Sequence, residues 1–106
     1  MAKYLIQATY SAEGAKGLLA EGGTARRATV EQLTESMGGK LEAFYFALGE
    51  DDAYVIAEVP DATDVAAVSL AVAAAGGARL TSVQLLTAEE MDAAANKRVA
   101  YRAPGA

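Results

Sequence analysis

Eight polar or half-polar side chains fall within stretches of alternating hydropathy, where a β-strand would hold each on a fixed face. They are Gln7, Thr9, Tyr45, Tyr54, Glu58, Arg79, Ser82 and Gln84. The tyrosines offer phenolic donors, Arg79 a cationic fork, and Gln7 both a donor and an acceptor. Glu58 would serve as a general base if burial raised its pKa. Gln7, Tyr45, Tyr54, Glu58 and Arg79 are the candidate ligand-binding set, and no residue is assigned a catalytic role. The same groups also suit a plainer use, as hydrogen bonds between subunits and as solvated strand edges.

Three other clusters carry less. Glu50, Asp51 and Asp52 place three carboxylates in one turn, the oxygen chemistry that Mg²⁺ or Ca²⁺ favours. Consecutive side chains diverge, and the spacing is not that of a calcium loop. A solvated hairpin turn without metal is expected. Arg26 and Arg27 follow Gly22-Gly23-Thr24, where a helix start would offer amides to an anion. The segment lacks the lysine and spacing of a phosphate loop, so pairing with Glu31 or Glu35 is expected. Lys97, Arg98 and Arg102 surround Tyr101 in a basic tail. In a chain of net charge −5, that tail is expected to dock on an acidic neighbouring subunit or stay mobile, not to bind nucleic acid.

Absences narrow the chemistry further. With no His and no Cys, there is no imidazole base, Ser-His-Asp triad, thiolate nucleophile or Cys-based metal site. No cofactor is expected. The richest apolar stretch, Val65–Ala75, falls well short of the roughly 20 residues a membrane helix needs. The segment after Met1 alternates and lacks a signal-peptide apolar region, so a cytoplasmic protein with no membrane partner is expected.

The elements that must position these groups read as follows. Strand 3–10 places Tyr4, Ile6, Ala8 and Tyr10 on one face and Leu5, Gln7 and Thr9 on the other. Ser11 opens a helix over 12–21, expected to be weak or irregular because it contains Gly14 and Gly17. Thr24 caps a second helix over 25–37, closed by Gly38-Gly39. Strands 40–48 and 53–59 flank the polar turn 49–52 as a hairpin. Asp61 or Thr63 caps a helix over 63–75, ended by Gly76-Gly77. Strand 78–87 follows, and Thr87 with Glu90 signs a capping box for a short helix to about Lys97. Residues 1–97 form one domain and 98–106 a C-terminal tail.

The order β-α-β-β-α-β with a terminal helix is the ferredoxin-like α+β pattern, a four-stranded antiparallel sheet with its helices on one face. Alternation in strand 40–48 puts Leu41, Ala43, Tyr45 and Ala47 on one side, and Glu42, Phe44, Phe46 and Leu48 on the other. Both sides are apolar, which argues that both are covered. Large apolar residues are scarce: Ala supplies 26 residues, while Leu, Ile, Val and Phe together supply 22. A second copy of the chain is therefore the expected cover for the open face, with the terminal helix or tail as the alternative.

Several segments in order resemble the GYD domain family. They are Glu13-Gly14-Ala15-Lys16-Gly17-Leu18, Arg26-Arg27, Glu35-Ser36-Met37-Gly38-Gly39-Lys40-Leu41, Leu48-Gly49-Glu50-Asp51-Asp52, Glu58-Val59-Pro60-Asp61, Ser69-Leu70-Ala71-Val72 and Gly77-Ala78-Arg79-Leu80-Thr81. Gly49 and Asp52 hold the Gly and Asp places of the family's Gly-x-Tyr-Asp hairpin, and Asp51 stands where the Tyr would be. The resemblance implies a dimeric α/β barrel, in which two ferredoxin-like sheets face each other. The expected function is a binding module for a small molecule or partner that assembles with itself. The alternatives are a cofactor-independent enzyme acting on a small aromatic or lactone substrate through Tyr and Glu58, and an assembly protein without ligand.

Overall fold

The computed structural model describes all 106 residues. In chain order the elements are β1 (Ala2–Tyr10), α1 (Ala12–Glu21), α2 (Gly23–Ser36), β2 (Lys40–Phe46), β3 (Ala53–Val59), α3 (Ala62–Ala75), β4 (Ala78–Leu85) and α4 (Ala88–Ala95). The strands form one sheet in the order β2-β3-β1-β4, every pair antiparallel.

Local chemistry sets most boundaries. The Ser11 hydroxyl accepts from Gly14 N at 3.1 Å and caps α1. Asp61 caps α3 by accepting from Thr63 N at 3.0 Å, which holds its carboxyl below the ordinary range. Thr87 and Glu90 form the expected capping box on α4, with bonds of 2.9 and 3.1 Å. Strand β4 ends at Leu85, short of the expected Thr87, because Thr87 is committed to that cap.

Two helix expectations change. α1 is one unbroken ten-residue helix, without the expected irregularity. Gly14 lies against the backbone of Gly77 where a Cβ would not fit, and Ser11 N donates to Gly77 O at 3.0 Å. The propensity lost at Gly14 is offset by this tie to the α3–β4 turn. The second helix begins at Gly23, not Ala25, with Gly22 as N-cap at φ 86° and no side-chain cap bond. Thr24 therefore lies inside α2. Glycine at positive φ turns the chain between α1 and α2 without the steric penalty that a Cβ would bring.

Strand β2 departs from simple alternation. Leu41 pairs with Ala57 and Ala43 with Ile56, so a bulge places Glu42 as the extra residue. One extra residue reverses the parity of everything beyond it. Leu41 thus joins Phe44 in the core at 8% and 9% exposure, while Tyr45 is 73% exposed. The expected grouping of Leu41 with Tyr45, and of Glu42 with Phe44, is corrected accordingly. β2 also stops at Phe46. Beyond it Ala47 N donates to Asp52 O at 2.8 Å within the turn, and Leu48 is fully exposed.

The core lies on one face of the sheet. Ala8, Leu41, Phe44, Ala53, Val55 and Ala57 form its buried centre, with Ile6, Val30 and Leu80 against it. α2 packs on β2, and α3 packs on β4 and β3. Phe46 meets Phe44 edge-to-face, ring centroids 5.1 Å apart, beneath Gly23. No helix covers the opposite face. Every residue from Leu86 to Ala106 is exposed, so neither α4 nor the tail supplies the cover. The radius of gyration is 17.0 Å, against about 13 Å for a compact domain of this size, because α4 and the tail project from the body. No helix is long and apolar enough to cross a membrane.

Candidate functional site

Antiparallel register sorts the open face into rows, because residues opposite one another across strands lie side by side. The middle row is apolar: Ala43 faces Ile56, Ile56 faces Leu5, and Leu5 faces Val83. Toward the hairpin lies a polar row in which Tyr45 faces Tyr54, Tyr54 faces Gln7, and Gln7 faces Thr81. One step further, Thr9 faces Arg79. At the other end Lys40 faces Glu58, and Glu58 faces Lys3.

The polar row has a centre that sequence reasoning missed. Asp51 accepts from Gln7 Nε2 at 3.0 Å, from Thr9 Oγ1 at 3.2 Å and from Tyr54 OH at 3.5 Å. Its neighbour Asp52 accepts from Tyr10 N at 2.8 Å, and Asp52 N donates to Ala8 O at 2.8 Å. The acidic turn is therefore folded back on β1 and half-buried at Asp51 and Asp52, not a solvated loop. One signal was present in the sequence. Gln7, Thr9 and Tyr54 share a face at the hairpin end, three donors whose nearest anionic acceptor in the chain is the turn. No three metal-ligating side chains converge anywhere.

Asp51→Ala is expected to lower stability by about 1 kcal/mol, the net worth of charge-assisted bonds in a partly solvated setting. Glu50→Ala, at an exposed site, is expected to change nothing measurable. Urea unfolding reads both, and equal midpoints for the two variants would remove Asp51 from the centre of the row.

Of the five candidate residues, the fold brings four toward the hairpin end and leaves one apart. Gln7 and Tyr54 are opposite one another and share Asp51. Tyr45 stands beside Tyr54 on the edge strand. Arg79 lies across from Thr9 and is exposed. Glu58 is four residues from Tyr54 along β3, about 13 Å away at strand rise. Lys3 Nζ lies 2.7 Å from Glu42 and 4.0 Å from Glu58. The hydrogen bond to Glu42 keeps the Lys3 ammonium above the ordinary lysine value. Glu58 thus belongs to a small ion-pair group, out of reach of the tyrosines.

The paired arginines also divide. Arg26 Nε lies 2.7 Å from Glu21, and Arg27 Nη1 lies 3.7 Å from Glu31. The expected pairing with Glu31 thus holds for Arg27, while Arg26 reaches back across the Gly22 break. Sequence spacing did not reveal that contact, because it depends on how Gly22 turns the chain.

A four-stranded antiparallel sheet in this order, with helices on one face and the other bare, defines a ferredoxin-like α+β domain. The chain belongs to the GYD domain family, whose model matches residues 4–95, from β1 through the end of α4. Comparison with curated proteins and with solved structures gives no significant match.

Proposed function

We propose that this chain is a self-assembling binding module. Two copies stack their open sheet faces into a dimeric α/β barrel, and the polar row lines the space between them. The observation that carries this reading is the apolar row Ala43, Ile56, Leu5 and Val83 across all four strands, with no helix over it; Val83 is exposed and the other three are half-buried. An uncovered apolar band at the centre of a sheet favours association with a surface of its own kind. Tyr45, Tyr54, Gln7 and Arg79 would then supply phenol, amide and guanidinium groups toward a small molecule or partner held in that space. Glu58, engaged by Lys3, stabilises the far end of the face and takes no part in binding.

The projecting arm fits the same assembly. Leu86, Met91, Val99 and Tyr101 are all more than half exposed. Residues 1–96 carry a net charge of −8, and residues 97–106 carry +3. The tail beyond α4, basic and carrying Val99 and Tyr101, complements the acidic remainder of a second copy.

Light scattering on the full chain at micromolar concentration tests the reading. The expected mass is twice the 10.9 kDa of one chain, or a higher even multiple. A single-chain mass would overturn it.

A further inference from the structure

The helix side of the sheet contains a space that the assembly does not use. α2 stands over β2, and α3 over β3 and β4. Between them the floor is made by strands that carry Ala8, Ala53 and Ala57, all buried. Alanine lacks the side chain to fill the gap between two separated helices. The result is a cavity of about 140 Å³ with a mostly hydrophobic lining. Val30 of α2 and Val72 of α3 form its walls, and Leu80 of β4 extends its floor. No large side chain is fully buried.

We propose that this cavity is a binding site for one small uncharged apolar molecule, of the size of a single aromatic ring. Size and chemistry point the same way. An enclosed apolar cavity of about 150 Å³ accepts benzene, which sets the size of occupant that this pocket can hold. This pocket is partly open to solvent, and a ring-sized occupant gains dispersion contacts with the apolar walls that water does not match. The charge of the occupant is set by the lining as well. The one ionic side chain there is Arg26, whose guanidinium is already neutralised by Glu21 at 2.7 Å. A carboxylate brought into this space would lose its hydration without gaining a free cation. Tyr10, Thr29, Thr34, Ser69 and Ser82 contribute hydroxyls to the lining, enough to orient a phenol but not to hold an anion. The alanine-rich composition thus has a local consequence: small residues at the centre of the floor leave a ring-sized space.

The site lies on the opposite side of the sheet from the space between stacked copies, so the two are tested separately. The full chain is titrated with toluene, phenol and benzoate. Melting temperature is followed by calorimetry, and methyl resonances by nuclear magnetic resonance. Toluene and phenol are expected to raise the melting temperature saturably by several degrees and to shift the methyls of Val30, Val72 and Leu80. Benzoate is expected to do neither. Ala57→Leu should fill the space and abolish the toluene response while leaving the far-ultraviolet dichroism unchanged. Should that variant fail to fold, Ser69→Leu, on the cavity side of α3, carries the same test. No saturable response in the folded wild type would overturn the proposal. So would a benzoate response matching that of toluene, or shifts confined to Leu5, Ile56 and Val83 on the open face.

Discussion

Phe44→Asp is expected to abolish cooperative folding at 25 °C. Phe44 is 9% exposed, faces Val55 across the hairpin and meets Phe46 edge-to-face. Removing a buried Phe side chain costs about 3–5 kcal/mol. A carboxylate in its place must be desolvated without a partner or be protonated, which adds several kcal/mol. The total stability available to a domain of this kind is about 5–15 kcal/mol. With 22 large aliphatic and Phe residues in the chain, this domain is not expected to reach the upper end of that range. The loss therefore consumes most of what is present. Phe44→Leu keeps an apolar group there and is expected to remain folded, at a cost of about 1–3 kcal/mol. Far-ultraviolet dichroism and urea unfolding read both. A cooperative transition in Phe44→Asp at a native-like midpoint would show that β2 turns this residue away from the helices.

The sequence made β1 legible and β2 only half so, and the difference is physical. β1 is paired on both sides in unbroken register, so its period of two survives into the structure. β2 is an edge strand carrying a bulge, and the extra residue, Glu42, has nothing in its type that announces it. A bulge that uses glycine leaves a mark in sequence, and this one does not. Helix caps were readable where a side chain makes the bond, as at Ser11, Asp61 and Thr87. At Gly22 the backbone alone makes the turn, and the cap was misplaced by two residues. The candidate site divided on the same principle. Gln7, Tyr54 and Tyr45 were found because alternation fixes their face. Asp51 was missed because turn residues have no face until the turn folds. Glu58 was grouped with the tyrosines by residue type, while its position along β3 ties it to Lys3. The cavity was present in the sequence only as alanine content, which gives no location until strand order sets three alanines in the floor beneath two separated helices.

Ile56→Asp is expected to split the proposed assembly while leaving each chain folded. Ile56 is on the central strand β3, between Ala43 and Leu5, with its side chain on the bare face. Its neighbours Val55 and Ala57 point the other way and form the core, so the helix side is untouched and the far-ultraviolet dichroism should persist. In a two-fold interface each substitution is present twice. Fully burying an Ile is worth about 1.5–3 kcal/mol, and Ile56 is already half-buried in the single chain, so at most about a third of that is gained on association. Two copies forgo about 1–2 kcal/mol, a weakening of the dimer by roughly 5- to 30-fold. Two carboxylates brought toward one apolar band weaken it further. Tyr45→Asp, at the edge of the sheet and already 73% exposed, is expected to weaken assembly less. The decisive readout is concentration dependence. The wild-type melting temperature should rise with protein concentration, because association stabilises the folded chain by mass action. That of Ile56→Asp should be lower and independent of concentration, with a single-chain mass by light scattering. An Ile56→Asp protein that keeps the wild-type mass and melting temperature would place the interface elsewhere. The contrast with Phe44→Asp then separates the two faces of one sheet: one carboxylate removes the fold, the other only the partner.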